Sequence, residues 1–341
     1  MRKSLAWIAA LVVVAGVVGG QESFAGKPPP PPPPPPPAPA DPAIAYSSSS
    51  STNFSFGDLM VMNADGTNAT AILKQTAATR GKNPKPATNY GQPDWSPDGR
   101  KLVCVSNNIY GPGIYVVNRD GTGLHIIVSL SPVGLAFINP VWSPAPVPGI
   151  GGGKHRIAFT RPTPIGSSEA GDVWIVDEDG QNAVNVSNTP GAEFFPTWSP
   201  SGTRLLCQTF RDDGSGNSSA IRDRYGLMDF MTGTFTDVQY PAPLVGHYVR
   251  RPSWSKTQEN VIVVEGTNSP MDVWRVDLSG FAVPVNLTNT SDQGENCPSL
   301  SPGDDAIVFT SAGGIEVMNA DGTGRHSIRS PGVDPSWRRN P

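Results

Sequence analysis

The residues that could carry out chemistry in this 341-residue chain are few and far apart. No Gly-x-Ser-x-Gly sequence, which would place a catalytic serine at a sharp turn, is present. The four histidines show none of the spacings typical of a zinc site, and they are His125, His155, His247 and His326. We therefore predict no catalytic residues, no bound metal and no cofactor.

Three short stretches imitate ion or phosphate sites, but each lacks a residue that such a site needs. Gly149–His155 resembles a phosphate-binding loop, yet Pro148 stands in place of the first glycine and His155 in place of the magnesium-binding Ser or Thr. Asp177–Gly180 and Asp212–Gly214 resemble calcium loops, but neither continues to the glutamate that closes an EF-hand. We interpret these acidic stretches as turns.

A repeated motif, Asp-Trp-Ser-Pro-Asp-Gly at Asp94–Gly99, organises the chain. Its anchor positions, spaced 47, 56, 56, 46 and 37 residues apart, are Trp95, Trp142, Trp198, Trp254, Leu300 and Trp337. A period of about 40–50 residues is typical of propellers and solenoids. Short β-branched runs follow each anchor, and Asp-Gly pairs between runs indicate hairpins because glycine accepts positive φ. Each repeat thus supplies four antiparallel strands, which is one propeller blade.

The first and last repeats are incomplete in opposite senses. Three strands beginning near Ala43 have no Trp-bearing strand before them, whereas Val333–Trp337 has no strands after it. We predict that the two pieces share one blade, which closes the ring and hides a sheet edge. The predicted fold is therefore an all-β, six-bladed β-propeller over residues 43–341.

Some repeats depart from the pattern. Leu300 replaces a tryptophan, and Lys256-Thr257 replaces the Pro-Asp pair. Two insertions, Ala145–Lys154 and Arg211–Ala220, are predicted to be surface loops, where binding sites often lie. These loops are alternative places for a functional site.

The chain begins with two segments outside the repeats. Residues 1–25 have a basic start, an apolar core and small residues before Gly26, so we predict a cleaved signal peptide. Residues 26–42 contain the proline run Pro28–Pro37, which we expect to be extended over about 31 Å as a spacer or a recognition segment. The mature protein is then predicted to be periplasmic or secreted, without a membrane span. The modest net charge of −4 gives no indication of nucleic-acid binding.

The three cysteines are an odd number, whereas exported proteins generally contain disulfide pairs. Cys104 and Cys207 occupy matching strand positions in different repeats, too far apart for a bridge whose Cα atoms must lie within about 7 Å. Cys297 precedes the anchor of a third repeat. We predict three free, buried thiols.

The repeats resemble the TolB-type (WD-like) family of β-propeller repeats of bacterial envelope proteins. The similarity rests on Pro-x-Trp-Ser-Pro-Asp-Gly, on the apolar strands, and on Asn-x-Asp-Gly-Thr at Asn63–Thr67 and Asn319–Thr323. It covers essentially all of residues 43–337 and is specific for the fold, which by itself does not imply one function. The resemblance implies that the Trp-bearing strand is the innermost of each blade.

Residues just before each Pro-x-Trp are then expected at the mouth of the central channel. A concave mouth with converging polar groups is a common ligand site. The predicted ligand- or partner-binding residues are Tyr90, Glu193, Phe194, His247, Tyr248, Arg250, Arg251, Glu295 and Asn296, joined by Asn89, Phe137, Asn139 and Asp334. We expect the charged members to reach solvent. The alternative is a solvated channel held together by ion pairs among the same residues.

Three functions remain open at this point. The first is a monomeric, non-catalytic module that binds a protein of the bacterial cell envelope, and a broad apolar patch on one face of the propeller would favour it. The second is a propeller that binds a small molecule or a carbohydrate in its central channel. The third is a propeller-type lyase or hydrolase acting at the channel mouth, which a His-Glu-Arg cluster or a bound metal would favour.

Overall fold

The computed structural model describes residues 42–49, 56–80, 87–108, 111–130, 138–149, 153–161, 171–189, 191–210, 224–244, 249–266, 271–291 and 294–339. The predicted signal peptide and residues 26–41 of the predicted linker lie outside these ranges. So do Phe137, His247, Tyr248 and the predicted loop Arg211–Ala220.

Twenty-four strands lie in the described residues and form six four-stranded antiparallel sheets. The first three, which belong to the closing blade, are β1 (Ile44–Ser47), β2 (Leu59–Met62) and β3 (Thr70–Leu73). Blade 1 contains β4 (Tyr90–Trp95), β5 (Lys101–Asn108), β6 (Gly111–Asn118) and β7 (His125–Ser129). Blade 2 contains β8 (Val141–Trp142), β9 (Ile157–Arg161), β10 (Asp172–Val176) and β11 (Val184–Asn185).

The remaining strands continue the same order. Blade 3 contains β12 (Ala192–Trp198), β13 (Arg204–Phe210), β14 (Arg224–Asp229) and β15 (Thr234–Gln239). Blade 4 contains β16 (Val249–Trp254), β17 (Val261–Gly266), β18 (Asp272–Asp277) and β19 (Val285–Asn286). Blade 5 contains β20 (Asn296–Leu300), β21 (Ala306–Ser311), β22 (Gly314–Asn319) and β23 (His326–Arg329), and the last strand is β24 (Val333–Trp337).

The two ends of the propeller share the closing blade. Its strand order is β24-β1-β2-β3, and β24 pairs antiparallel with β1 through Ile44 opposite Trp337 and Ala45 opposite Ser336. The strand that completes this sheet therefore comes from the opposite end of the repeat region. The prediction of a six-bladed propeller with a composite blade is confirmed.

The hydrophobic core is divided among the interfaces between neighbouring blades. In one cluster Trp95 of blade 1 packs with Ala45, Leu59 and Val61 of the closing blade. Five corresponding clusters fill the other five interfaces, and each contains one anchor residue from the blade that follows in the ring. Leu300 takes the place of tryptophan in the cluster between blades 4 and 5. The anchor recurs because each blade must bury its face against the preceding one.

The Asp-Gly turns between the two outer strands provide a second contact between blades. In the turn of blade 1, Gly121 has a φ of 83°, and a Cβ atom there would lie 2.4 Å from the carbonyl oxygen of Ile72 in β3. Gly66 and Gly180 lie similarly close to the outer strand of the preceding blade, and Gly322 lies similarly close to Leu287, which directly follows β19. Glycine is therefore required both for the turn and for the close approach of two backbones.

Two further expectations can be compared with the structure. All three cysteines are free, as predicted; the predicted burial is confirmed for Cys104 and Cys207 but is wrong for Cys297, which is half-buried because it lines the channel. The acidic stretch Asp177–Gly180 forms a turn in which Gly180 N donates to Asp177 O at 2.9 Å. Within the described ranges, no helix has the length and apolar character needed to cross a membrane.

Candidate functional site in the central channel

The innermost strand of each blade presents one residue to the channel from a strained backbone position. These residues immediately precede the motif proline, have φ between 42° and 55°, and are Gln92, Asn139, Phe195, Arg251, Cys297 and Asp334. In five blades the strand register shifts across this position, which marks a β-bulge. Proline, which has no N–H to donate to a ladder, is tolerated here because the bulge interrupts the ladder. We call these six residues the bulge ring.

Two more rings follow, one before each anchor and one just after each inner strand ends. The middle ring consists of the residues directly before each anchor: Asp94, Val141, Thr197, Ser253, Ser299 and Ser336. The proline ring consists of the residues two positions after each anchor: Pro97, Pro144, Pro200, Lys256, Pro302 and Arg339. The bulge and middle rings, together with Lys256 and Arg339, line a cavity of about 120 Å³ on the channel axis.

The middle ring links neighbouring blades by hydrogen bonds. Trp142 N donates to Asp94 Oδ2 at 2.8 Å, and Trp254 N donates to Thr197 Oγ1 at 3.0 Å. Ser336 Oγ of the closing blade donates to Asp94 Oδ1 at 2.8 Å. The carboxylate of Asp94 therefore holds three successive blades together, and both of its oxygens have donors.

Arg251 is the centre of a charged cluster in the bulge ring. Its Nη1 contacts Cys297 Sγ and lies 3.5 Å from Asp334 Oδ1, and its Nε lies 3.6 Å from Glu265 Oε1. The guanidinium carbon also lies 5.3 Å from the ring centre of Phe195, a cation–π contact. Arg251 is only 8% exposed and Glu265 is fully buried, so both charges depend on this pairing.

The thiol of Cys297 retains its proton in this cluster. Burial raises the pKa of Cys297 well above its ordinary value, and the acids Asp334 and Glu265 add to the rise against the opposing effect of Arg251. Cys297 Sγ lies 3.0 Å from Asp334 Oδ1, to which the thiol donates. Because a thiolate is the nucleophilic form, this environment does not activate the sulfur.

The structure places the predicted channel-mouth acids inside the blades. Contrary to our expectation that they reach solvent, Glu193 and Glu295 are both fully buried. Glu193 Oε1 accepts from Thr189 Oγ1 at 2.6 Å, and Glu295 Oε1 pairs with Arg325 Nη1 at 2.8 Å. The cause is the bulge, which presents the residue next to proline to the channel and leaves earlier residues of the strand between blades.

The other predicted residues are divided between the channel and the blades. Tyr90 is buried in the interface between the closing blade and blade 1, and Phe194 packs edge-on against Phe210. Arg250 is partly exposed, with its Nε 3.6 Å from Glu265 Oε2. Asn296 is buried next to the cavity-lining Cys297. Of the described members, Arg251, Asn139 and Asp334 line the channel.

Sequence reasoning missed the whole middle ring and five further residues that line the channel, namely Gln92, Phe195, Cys297, Lys256 and Arg339. An alignment of the repeats on the anchor groups these residues, because each ring occupies one position relative to the anchor, but only the structure shows that these positions face the channel. Residue type alone gives no such signal, since the bulge ring contains six different residue types.

The described histidines contact backbone carbonyl oxygens in their own blades and do not come together at one site. His125 Nδ1 and His326 Nδ1 each lie 2.8 Å from the carbonyl oxygen of the glycine two residues earlier, and His155 Nδ1 lies 3.1 Å from Ser143 O. In the described part of the chain, no group of three or more His, Cys, Asp or Glu side chains is placed to hold a metal ion.

No protein-family model matches the sequence, and no curated protein matches it. Solved structures do match. TolB from Acinetobacter baumannii is similar with a TM-score of 0.63 and 20% identity, over 88% of this chain and 67% of that chain. The putative TolB from Agrobacterium tumefaciens has a TM-score of 0.55 and 17% identity, over 84% of this chain and 88% of that chain. Hydrazine synthase from Kuenenia stuttgartiensis has a TM-score of 0.64 and 12% identity, over 88% of this chain and 47% of that chain.

At such identities the similarity concerns the backbone arrangement and not the chemistry of any site. It agrees with the propeller of four-stranded blades described above. The fold of this chain is that of a TolB-like, six-bladed β-propeller.

Proposed function

We propose that this protein is an exported, non-catalytic interaction module of the bacterial cell envelope that binds a partner protein. The observation that carries this proposal is an apolar strip at the outer edge of blade 4. Phe281, Val283 and Val285 are 95%, 73% and 53% exposed. Single exposed apolar residues are normal, but three within five residues form an apolar cluster, which supports a contact surface here.

The position of the strip suits an extended peptide segment. β19, which contains Val285, is the outermost strand of its sheet, and among the strands that the structure describes it pairs with β18 alone. Such an edge offers backbone donors and acceptors to an added strand, while pockets or ridges select alternate side chains. The occupant we propose is an extended segment of the partner with apolar side chains at alternate positions.

The chemistry of the channel favours binding over catalysis. Arg251 and its acidic neighbours are engaged with one another, and the Cys297 thiol holds its proton. The location in the envelope rests on the predicted signal peptide and on the resemblance of the repeats. The predicted channel mouth, including Arg250, Arg251, His247 and Tyr248, remains a second candidate surface for the partner.

Site-specific photo-crosslinking tests the strip. A photoreactive phenylalanine analogue at position 281 of the full-length protein, expressed in its own host, should give one discrete crosslinked protein. The matched control is position 231, because Met231 is also exposed, at 70%, but lies in the turn between β14 and β15 of blade 3. We expect no discrete product there.

A variant complements the crosslinking. Phe281→Ser with Val283→Ser should lower affinity for the crosslinked protein at least tenfold without changing the melting temperature, since these side chains are outside the core. Equal crosslinking at positions 231 and 281, or unchanged affinity of the double variant, contradicts this surface.

A further inference from the structure

The proline ring departs from its pattern at two positions, and both departures are cations. Four blades have proline two positions after the anchor, whereas blade 4 has Lys256 and the closing blade has Arg339. The six ring members enclose a cavity of about 220 Å³ at this end of the channel. That is enough for a small ion and its waters, since one water needs only about 10–15 Å³ of such space.

Neither cation has an acidic partner among the residues that the structure describes. The nearby carboxylates are those of Asp94 and Asp304, which influence both cations only at a distance. Asp94 already accepts from Trp142 N and Ser336 Oγ. Asp304 accepts from Ser255 Oγ at 2.6 Å and from the backbone N of Lys256 at 2.8 Å. The carboxylates are thus engaged in holding the blades and turns.

The two cations destabilise each other. Burial, followed by the positive charge of Arg339, lowers the pKa of Lys256 to about 7, although Asp94 and Asp304 oppose the shift. Burial also lowers the pKa of Arg339. Like charges held in a partly desolvated cavity without a counter-ion are unfavourable, and an anion between them would relieve both.

We infer that this end of the channel binds a small oxyanion, a phosphate or carboxylate group. The planar guanidinium of Arg339 can donate to two oxygens of such a group, and the ammonium of Lys256 supplies a compact third donor. The four prolines have no backbone N–H to donate to an anion, so the preference of this cavity for anions depends on Lys256 and Arg339. The site is separate from the apolar strip on blade 4, and its test does not depend on that surface.

Titration calorimetry of the full chain with sulfate, phosphate and acetate, at constant ionic strength set with chloride, tests the site. Lys256→Gln and Arg339→Gln should each weaken binding of the preferred anion at least tenfold. The matched control is Arg100→Gln, which removes a cation that is 83% exposed in the turn after Pro97, outside the channel. We expect the affinity of Arg100→Gln for the preferred anion to stay within twofold of that of the natural protein.

Comparing the affinities for phosphate and acetate identifies whether the site prefers a phosphate or a carboxylate group. Sulfate is used to measure how binding depends on pH, because its own charge does not change between pH 6 and pH 9. The lowered pKa of Lys256 means that its charge is present below pH 7 and lost above it. Sulfate should therefore bind at least tenfold more tightly at pH 6 than at pH 9. The proposal is overturned if none of the three anions binds, or if Arg100→Gln loses as much affinity as Lys256→Gln and Arg339→Gln.

Discussion

Arg251 is the residue at which four blades meet. Its contacts are Phe195 of blade 3, Glu265 of its own blade, Cys297 of blade 5 and Asp334 of the closing blade. A charge this deeply buried requires partners, and the partners in turn require Arg251. The cluster therefore holds one side of the channel together, whether or not it also contacts a ligand.

Replacing Arg251 should consequently affect folding. Arg251→Met leaves Glu265 and Asp334 without their cation, and breaking a buried pair from one side typically costs about 3–5 kcal/mol. We expect a loss of about 3 kcal/mol in the free energy of unfolding, measured by urea denaturation with tryptophan fluorescence. Arg100→Met, at an exposed position, should change stability by no more than about 0.5 kcal/mol. If both variants are equally stable, the cluster is not structural and Arg251 is better explained as a ligand-binding residue.

At the scale of elements, the Asp-Gly turn of one blade rests on the outer strand of the preceding blade. The turn is held internally, for example by Asp120 Oδ1, which accepts from Thr122 N at 2.9 Å. Its glycine then meets a neighbouring carbonyl oxygen at a distance that excludes a side chain. One short motif thus forms a hairpin and also sets the spacing between blades.

Two glycine variants separate these roles. Gly121→Ala introduces strain at a φ of 83° and a clash with Ile72 O, whereas Gly233→Ala introduces strain at a φ of 71° with nothing within 4 Å. The strain alone costs about 1–2 kcal/mol. We expect Gly121→Ala to lower the free energy of unfolding by clearly more than Gly233→Ala, with a difference of about 1 kcal/mol or more. If urea denaturation shows that both variants lose the same free energy of unfolding, the contact between Gly121 and Ile72 does not contribute to stability.

At the scale of the whole molecule, β24 completes both a sheet and a ring. It pairs with β1, and Trp337 fills the cluster between blade 5 and the closing blade. Without it, β1 becomes an exposed edge and two interfaces lose packing.

Truncation after Ser330 removes this strand. Loss of a buried tryptophan alone typically costs about 3–5 kcal/mol, so the truncated protein should melt far below the full chain or aggregate through the open edge. Calorimetry with size-exclusion chromatography measures both results. Truncation after Arg339 keeps β24 and serves as the control, and it should leave the melting temperature unchanged. A protein cut after Ser330 that melts normally would refute ring closure by β24.

The sequence by itself determined the repeat, the number of blades, the composite blade, the hairpin turns and the free cysteines. The strands and turns follow from short β-branched runs and from glycine at positions of positive φ, whereas the blade count, the composite blade and the separation of the cysteines follow from an anchor that recurs every 37 to 56 residues. Such signals can be recognised in one chain because they are short local patterns and the repetition of those patterns.

Only the tertiary structure decided which side chains line the channel. The bulge before each proline turns Gln92 or Cys297 inward and leaves Glu193 and Glu295 between blades, although nothing in the residue types distinguishes these outcomes. The decisive contacts also join distant parts of the chain, as with Asp94 and Ser336, which are 242 residues apart. Local patterns specify a strand and its turns, whereas closing the ring determines which residues meet on its axis.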